Sequence, residues 1–260
     1  MPEYALIPLL VIAAFLVGSI PFGFLIGRSK GVDIRTQGSG NIGASNLGRI
    51  LGKKYFAICF TLDFTKGLIP SLVAGALLNT LGSMDMTDTQ AWAWLAVMFA
   101  SPIGHMFTPW LGFKGGKGVA TGLGSLLGVL PAMTLPAVGA AVVFIVVLSL
   151  WRMIGVASSA AAATLPLWTW QSFRLYETTQ ERRFGEQPRY ADMPAEDLKQ
   201  MFEFQGTPFL IAASVLAVIV IYKHRGNLQR AMLGTEPKIG SSSEPTPPAP
   251  PTTEPAEPSQ

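Results

Sequence analysis

Long apolar stretches without a charged residue dominate the chain, and they limit the folds open to it. The first runs from Tyr4 to Gly27, and the longest from Gly118 to Trp151. Charged residues make up only 13% of the 260 residues, and the mean hydropathy is +0.38. A typical soluble domain has about 25% charged residues. The expected solvent is therefore a bilayer, and the sequence predicts an all-α integral membrane protein.

Apolar stretches with roughly the length of a membrane-spanning helix recur along the chain. Five are simple to assign: Tyr4–Gly27, Tyr55–Leu78, Ala91–Phe113, Met153–Phe173 and Phe204–Tyr222. The stretch Gly118–Trp151 is too long for one crossing and carries Pro131 and Pro136 near its middle, where a helix would break. We expect two short spans there, which makes seven transmembrane helices in all.

The connections between these stretches predict the orientation. The first contains the bases Arg28, Lys30, Arg35, Arg49, Lys53 and Lys54, whereas the second, 79–90, contains acids and no base. Because basic loops stay on the cytoplasmic side, the amino terminus is expected outside and the carboxyl terminus inside a bacterial inner membrane. The mixed-charge connection Arg174–Glu203 falls outside in this topology and resembles an insertion. All three motif loops then share the cytoplasmic face.

Composition also excludes several classes of function. The net charge of +3 is not arranged as a basic stripe with aromatic residues, so no nucleic-acid partner is expected. The lone Cys59 offers no disulfide framework, and no cluster has the spacing of metal ligands, so no metal or other cofactor is expected. Residues 1–238 are predicted to form the membrane domain, and the Pro- and Ser-rich residues 239–260 a disordered cytoplasmic tail.

The polar segment Gly38–Arg49 has the parts of an anion site. Its glycines allow backbone N–H groups to turn toward a phosphate, hydroxyls add donors, and Arg49 provides a planar cation. A helix beginning near Asn41 would place Ser45 and Arg49 on one face. The candidate ligands are Ser39, Gly40, Asn41, Ser45, Asn46 and Arg49. The alternative is a glycine-rich turn in which Arg49 only faces lipid head groups.

A second segment again joins glycines to lysines at the end of a span. It contains the candidate phosphate ligands His105, Lys114, Gly115, Gly116 and Lys117. It is not a P-loop, because Gly118 stands where Ser or Thr would follow the lysine. Glycines around Lys117 favour close approach of a ligand, although lysines that snorkel at an interface are common.

Further polar residues lie at or inside the spans. Asp63 and Lys66 are three residues apart on one helical face, so they form either a structural ion pair or a wall of a polar cavity. Arg152 and Ser158 flank the start of the sixth span, and His224 and Asn227 follow the seventh. A cation, an imidazole and an amide beside two anion sites are consistent with one shared site.

These motifs together resemble the acyl-phosphate:glycerol-3-phosphate acyltransferase family. The similar segments are Gly38–Arg49, Asp63–Gly67, Gly104–Thr121 and Lys223–Gly240. The resemblance implies a seven-span bundle whose motif loops meet at the cytoplasmic face. It implies binding or catalytic roles for Ser39, Ser45, Asn46, Arg49, Gly115, Gly116, Lys117, His224 and Asn227. In the third motif Gly155 stands where the family has Ser, and Ser158 is retained.

The function expected from the resemblance is acyl transfer in phospholipid synthesis. An acyl phosphate would donate its acyl group to the 1-hydroxyl of glycerol 3-phosphate, giving lysophosphatidic acid. Lys117 and Arg49 would neutralise the phosphates, and either His224 or a substrate phosphate oxygen would accept the hydroxyl proton. A membrane transporter of phosphorylated metabolites is the alternative, but its site would lie near the midplane rather than at one interface. A lipid-binding scaffold would explain the basic loops alone.

Overall fold

The computed structural model describes residues 3–185, 194 and 206–240. Within these residues every regular element is helical. In chain order the helices are α1 (Glu3–Ser19), α2 (Phe22–Ser29), α3 (Ala44–Leu51), α4 (Lys53–Leu77), α5 (Asp88–Met106), a 3₁₀ turn (Pro109–Leu111), α6 (Val119–Gly128), α7 (Thr134–Trp151), α8 (Ile154–Gly185), α9 (Thr207–Lys223) and α10 (Arg225–Met232). The prediction of an all-α fold is confirmed for this part of the chain.

In the part of the chain that the structure describes, three segments are long and apolar enough to cross a membrane: Leu6–Ser29, Lys53–Leu77 and Thr134–Trp151. The pair α9 and α10 qualifies as a fourth if its bend of 56° lies within one span. The predicted break in Gly118–Trp151 is confirmed, because α6 ends at Gly128 and α7 begins at Thr134. With 10 residues, α6 is about 15 Å long, roughly half of a hydrocarbon core.

The helices pack most extensively in three pairs, α4 with α6, α7 with α8, and α1 with α5. Polar side chains bind across these contacts. Trp94 of α5 donates to the Ser71 carbonyl of α4 at 2.7 Å, and Ser101 of α5 donates to the Ala14 carbonyl of α1 at 3.1 Å. Thr108 donates to the Ser19 carbonyl at 2.7 Å, which fixes the end of α5 to the end of α1.

The structure corrects the boundary of the predicted connection 174–203. Helix α8 does not end at Phe173 but continues to Gly185. Arg174 pairs with Glu177 at 3.1 Å one turn along, and the Thr178 and Thr179 hydroxyls donate to carbonyls four residues back. The Arg174–Glu177 pair favours the helix beyond the apolar stretch, and the threonine hydroxyls find their acceptors within it. Of the later residues of this connection only 194 is described, and of the predicted tail only 239 and 240.

Candidate active site

The first glycine-rich segment is a loop organised around Asn46. The Asn46 carboxamide accepts from the Ser39 N–H at 2.8 Å and donates to the carbonyls of Ile34 at 2.9 Å and Gln37 at 3.1 Å. Its side chain is buried, with the residue only 1% exposed. Asn46 was expected to bind a ligand, but its hydrogen bonds are used inside the loop. It therefore shapes the loop that carries Ser39 and Gly40.

Helix α3 presents the remaining residues of this motif. The helix begins at Ala44 rather than near Asn41, because the Asn41 side chain accepts from the Gly43 N–H at 2.9 Å and holds that residue in the loop. Ser45 and Arg49 lie one turn apart on α3, as predicted. Ser39 and Arg49 are exposed and Ser45 is half-buried, so all three have access to a ligand.

The glycines of the second motif pack against the end of α5. The Gly115 N–H donates to the Met106 carbonyl at 3.2 Å, and the Gly116 N–H donates to the His105 carbonyl at 3.1 Å. A Cβ atom at Gly115 would overlap the His105 carbonyl, and one at Gly116 would overlap the His105 ring. The absence of a side chain at these glycines therefore admits the backbone and imidazole of α5, and their role in binding phosphate stays a prediction. Lys114 is exposed beside them.

Lys117 belongs to a polar cluster with the carboxyl-terminal motif. Its ammonium donates to the Asn227 side-chain oxygen, and the Asn227 amide donates to Glu236 at 2.6 Å. Arg230 donates to the other Glu236 oxygen at 2.9 Å, and Glu236 is 6% exposed. We call Lys117, Asn227, Arg230 and Glu236 the Lys117 cluster. Because the oxygen and the nitrogen of the Asn227 side-chain amide both form hydrogen bonds, the orientation of this side chain is fixed.

The charges around Lys117 bring two motifs into one electrostatic environment. Burial lowers the pKa of Lys117 below its ordinary value. The Glu236 carboxylate raises this pKa, whereas the cations Arg230 and Arg49 lower it. Arg49 of the first motif is therefore near enough to Lys117 of the second motif for its charge to affect the ammonium group. An anion placed between these cations would relieve their mutual repulsion.

His224 follows α9 and is almost fully buried beside this cluster. Its Nδ1 lies 2.9 Å from the Val220 carbonyl oxygen, which can only accept, so the proton is on Nδ1 and Nε2 keeps its lone pair. Burial, together with the nearby Lys117 charge, lowers the pKa of His224 to about 4. The Val220 and Glu236 oxygens oppose this shift. His224 is thus a neutral imidazole at neutral pH and a weak base.

Two residues of the third motif, Arg152 and Gly155, contact segments that belong to the Lys117 cluster. Arg152 ends α7 in a left-handed conformation and donates to the Ile239 carbonyl at 2.5 Å, while the Ile239 N–H donates back to the Arg152 carbonyl at 2.8 Å. This pair of bonds fastens segment 234–240, which carries Glu236. A Cβ atom at Gly155 would overlap the Asn227 side chain. The glycine therefore makes room for Asn227, and the buried Ser158 lies about one turn further along α8.

A second charged cluster lies inside the helix bundle. Asp63 and Lys66 form an ion pair at 2.7 Å, and His105 Nδ1 lies 3.6 Å from the same Asp63 oxygen. All three are buried. The ion-pair interpretation is confirmed for Asp63 and Lys66. The expectation that His105 binds a phosphate does not fit this position, because its ring is enclosed between Asp63 and the Gly116 backbone.

Two residues of the Lys117 cluster were not selected from the sequence. An isolated acid or base between apolar segments is usually solvated, so residue type alone does not indicate a role for Glu236 or Arg230. The available signal was the position of Glu236 between the turn residues Gly234 and Pro237, in a segment that follows His224 and Asn227. Over 3–185, 194 and 206–240, no group of three or more His, Cys, Asp or Glu is placed to hold a metal ion.

Comparison with known proteins identifies similar sequences and structures. The glycerol-3-phosphate acyltransferase family model matches residues 8–234. The glycerol-3-phosphate acyltransferases of Geobacter sulfurreducens and Trichlorobacter lovleyi are 40% and 38% identical over 230 and 229 residues, in each case 88% of this chain and 95% of the relative. The crystal structure of PlsY (YgiH), an integral membrane glycerol 3-phosphate acyltransferase, in its glycerol 3-phosphate form is 35% identical with a TM-score of 0.68, and covers 90% of this chain and 96% of that one.

A second crystal structure of PlsY, in its lysophosphatidic acid form, is 34% identical with a TM-score of 0.67. It covers 90% of this chain and 95% of that chain. The residues matched by the family model, 8–234, include every residue of the two clusters except Glu236.

Proposed function

The chain belongs to the glycerol-3-phosphate acyltransferase family and is a multi-pass membrane protein, and from this premise we propose the reaction in detail. The donor is an acyl phosphate with a long fatty acyl chain, and the acceptor is the 1-hydroxyl of glycerol 3-phosphate. The products are 1-acyl-glycerol 3-phosphate, which is lysophosphatidic acid, and phosphate. An acyl phosphate is already a mixed anhydride, so no acyl-enzyme is required.

The observation that carries this proposal is the convergence of cations around Lys117. Lys117 has three ammonium protons and donates one of them to Asn227, which leaves two for substrate oxygens. Arg49 influences the same ammonium group from the first motif. Two phosphorylated substrates need at least two anion contacts, and Arg49 with Ser39 and Ser45 provides the second. Both cations would stabilise the charge that develops on the oxygens during transfer.

We propose that the proton of the acceptor hydroxyl passes to a substrate phosphate oxygen. The pKa of His224, lowered to about 4, makes its imidazole a poor base at neutral pH. Its Nε2 lone pair instead accepts a hydrogen bond from a substrate hydroxyl and orients it. Placement of the two substrates then supplies most of the rate enhancement, as in intramolecular reactions with effective molarities of about 10⁵–10⁸ M.

The location that suits this chemistry is the cytoplasmic face of a bacterial inner membrane. Seven spans would place the three motif loops, the active site and the carboxyl terminus in the cytoplasm, and the amino terminus outside. The basic first connection supports this orientation. The lipid bilayer would supply and receive the acyl chains, and the water-soluble glycerol 3-phosphate would arrive from the cytoplasm.

The test is transfer from palmitoyl phosphate to labelled glycerol 3-phosphate by the purified protein in detergent, without added metal. Wild type and Lys54→Ala, which removes an exposed lysine at the start of α4, should both form lysophosphatidic acid. Lys117→Ala should not. Equal turnover of a palmitoyl thioester would contradict the donor assignment. No product from folded wild type, with saturable glycerol 3-phosphate uptake into liposomes, would favour the transporter.

A further inference from the structure

We propose that Asp63, Lys66 and His105 form a positioning cluster that fixes the loop carrying Lys117. None of the three would touch substrate, because all are buried and enclosed by α4, α5 and the α1–α2 junction. Their role would be to hold segment 112–118 where Lys117 can reach an anion. This inference rests on the proposed function, in which Lys117 is a catalytic cation.

Lys66 links the ion pair to the break between α1 and α2. Its ammonium contacts Asp63 at 2.7 Å and donates to the Ile20 carbonyl at 2.7 Å. The Ile20 carbonyl precedes Pro21, at the point where α1 ends and α2 begins. The Lys66 ammonium also lies 5.4 Å from the centre of the Phe22 ring. One side chain of α4 therefore fixes the junction that leads into the first motif.

His105 links the same ion pair to the second motif. One edge of its ring faces Asp63 at 3.6 Å, and the other lies directly against Gly116. The His105 carbonyl accepts from the Gly116 N–H at 3.1 Å, so both the side chain and the backbone of His105 hold this glycine. Gly116 immediately precedes Lys117. A rotation of the imidazole would therefore displace the catalytic cation.

Stability alone does not account for this arrangement. Replacing a buried ion pair by apolar residues of similar volume is often neutral or stabilising, whereas removing one partner is costly. Placing ionised side chains in a membrane helix costs free energy, and the ones that occur there commonly have a function. These contacts indicate a geometric role. Lys66 reaches the α1–α2 junction that leads into the first motif, and His105 reaches Gly116 of the second motif. A misplacement of about 1 Å at a catalytic group can cost about 100-fold in rate.

The experiment compares the apolar replacement Asp63→Leu/Lys66→Met with wild type and with Ser71→Ala. Ser71 lies on the same helix, is fully buried, and its hydroxyl belongs to neither cluster. Three quantities are measured on the folded, monodisperse fraction in detergent: the melting temperature, kcat with palmitoyl phosphate, and the rate of tryptic cleavage after Lys114 and Lys117. His105→Ala is a second variant that leaves the ion pair in place.

We expect the double variant to melt near wild type, to lose at least about tenfold in kcat, and to be cleaved faster in the loop. His105→Ala should show the same loss and the same faster cleavage. Ser71→Ala should match wild type in all three. Wild-type kcat and cleavage rate in the double variant and in His105→Ala would overturn the inference. If wild type itself transfers no acyl group, the proposed function fails, and the cleavage rates still decide whether the cluster holds the loop.

Discussion

Two charged clusters of similar composition lie close together in this protein, and their surroundings differ. The Asp63 cluster consists of an acid, a lysine and a histidine, and the Lys66 ammonium is used by Asp63 and the Ile20 carbonyl. The Lys117 cluster also has an acid and a lysine, but its acid is neutralised by Arg230, and Lys117 is only half-buried. The first cluster is closed and the second is open to one face.

This difference separates structure from binding. A buried ammonium that is paired with a carboxylate and enclosed by protein is neither accessible to an anionic ligand nor left with unpaired charge to attract one. Lys117 donates to the neutral Asn227 rather than to a carboxylate, so much of its positive charge remains available. Burial and partner chemistry, rather than residue type, therefore distinguish the positioning lysine from the proposed catalytic one.

The largest effect is expected when Lys66 of the closed cluster is replaced alone. Lys66→Met leaves the Asp63 carboxylate buried without its cation, which should cost about 3–5 kcal/mol of unfolding free energy. Thermal unfolding in detergent, with the folded yield, measures this loss. Restoration of the melting temperature by the second change Asp63→Leu is the control. A single variant as stable as wild type would mean that Asp63 does not depend on Lys66.

The same substitution in the open cluster should have the opposite outcome. Lys117→Met should reduce kcat/KM for glycerol 3-phosphate about 10²–10³-fold, as loss of one preorganised donor does. Its melting temperature should stay close to wild type, since Glu236 keeps Arg230 as partner. Steady-state kinetics and thermal unfolding on one preparation separate the two effects. A variant that fails to fold would place Lys117 with Lys66 as a structural residue.

The sequence predicted all three residues of the Asp63 cluster but only Lys117 and Asn227 of the Lys117 cluster, and it predicted the contacts of neither cluster beyond the Asp63–Lys66 pair. Helix positions, the break near Pro131 and the ion pair of Asp63 with Lys66 follow from periodicity and from the cost of isolated charge in a membrane helix. These are local properties. Hydropathy alone gives lengths, and by length only three or four segments qualify as spans in the described residues.

Contacts between distant segments were not predictable in this way. Asn46 and His105 looked like ligands because both are polar and follow glycines, yet one holds its own loop and the other contacts Asp63. Glu236 acquires its role only when segment 234–240 folds back on Arg152. A sequence shows which groups are available for hydrogen bonds, but the tertiary fold decides which of them are already used.

The charge on Lys117 should also make kcat/KM depend on pH. Its pKa is lowered, so as pH rises the ammonium loses its proton earlier than an ordinary lysine, and kcat/KM should fall on the alkaline side. At the alkaline end the loss should approach that of Lys117→Met. Lys117→Arg should remove this limb, because a guanidinium stays charged. Spontaneous hydrolysis of the acyl phosphate is subtracted at each pH. If kcat/KM of Lys117→Arg still fell at alkaline pH as in wild type, the fall would be due to another group.

The support behind Asn227 should have a smaller effect. Gly155→Ala places a methyl group where the Asn227 side chain lies, which should shift Asn227 and lower kcat about tenfold. Gly122→Ala is the matched control, because a Cβ there meets no atom within 4 Å. Both variants add one methyl group to a helix glycine. Equal kcat in the two would mean that Asn227 does not need its present position.

The smallest effect is expected at His224, although it lies beside the open cluster. His224→Gln keeps a donor for the Val220 carbonyl and an oxygen that can accept from the substrate hydroxyl, and it loses only the imidazole as a base, so kcat should stay within about threefold of wild type. A general base usually contributes about 10²–10⁴-fold, and a loss of that size with unchanged binding of glycerol 3-phosphate would make His224 the base. Because its pKa is lowered to about 4, His224 should contribute no fall in kcat from pH 7 to 5. A fall caused by protonation of a substrate phosphate, whose second pKa is about 6, should be the same in His224→Gln. A fall centred near pH 6 that His224→Gln abolishes would instead show an imidazole that titrates at its ordinary pKa and must be neutral to act.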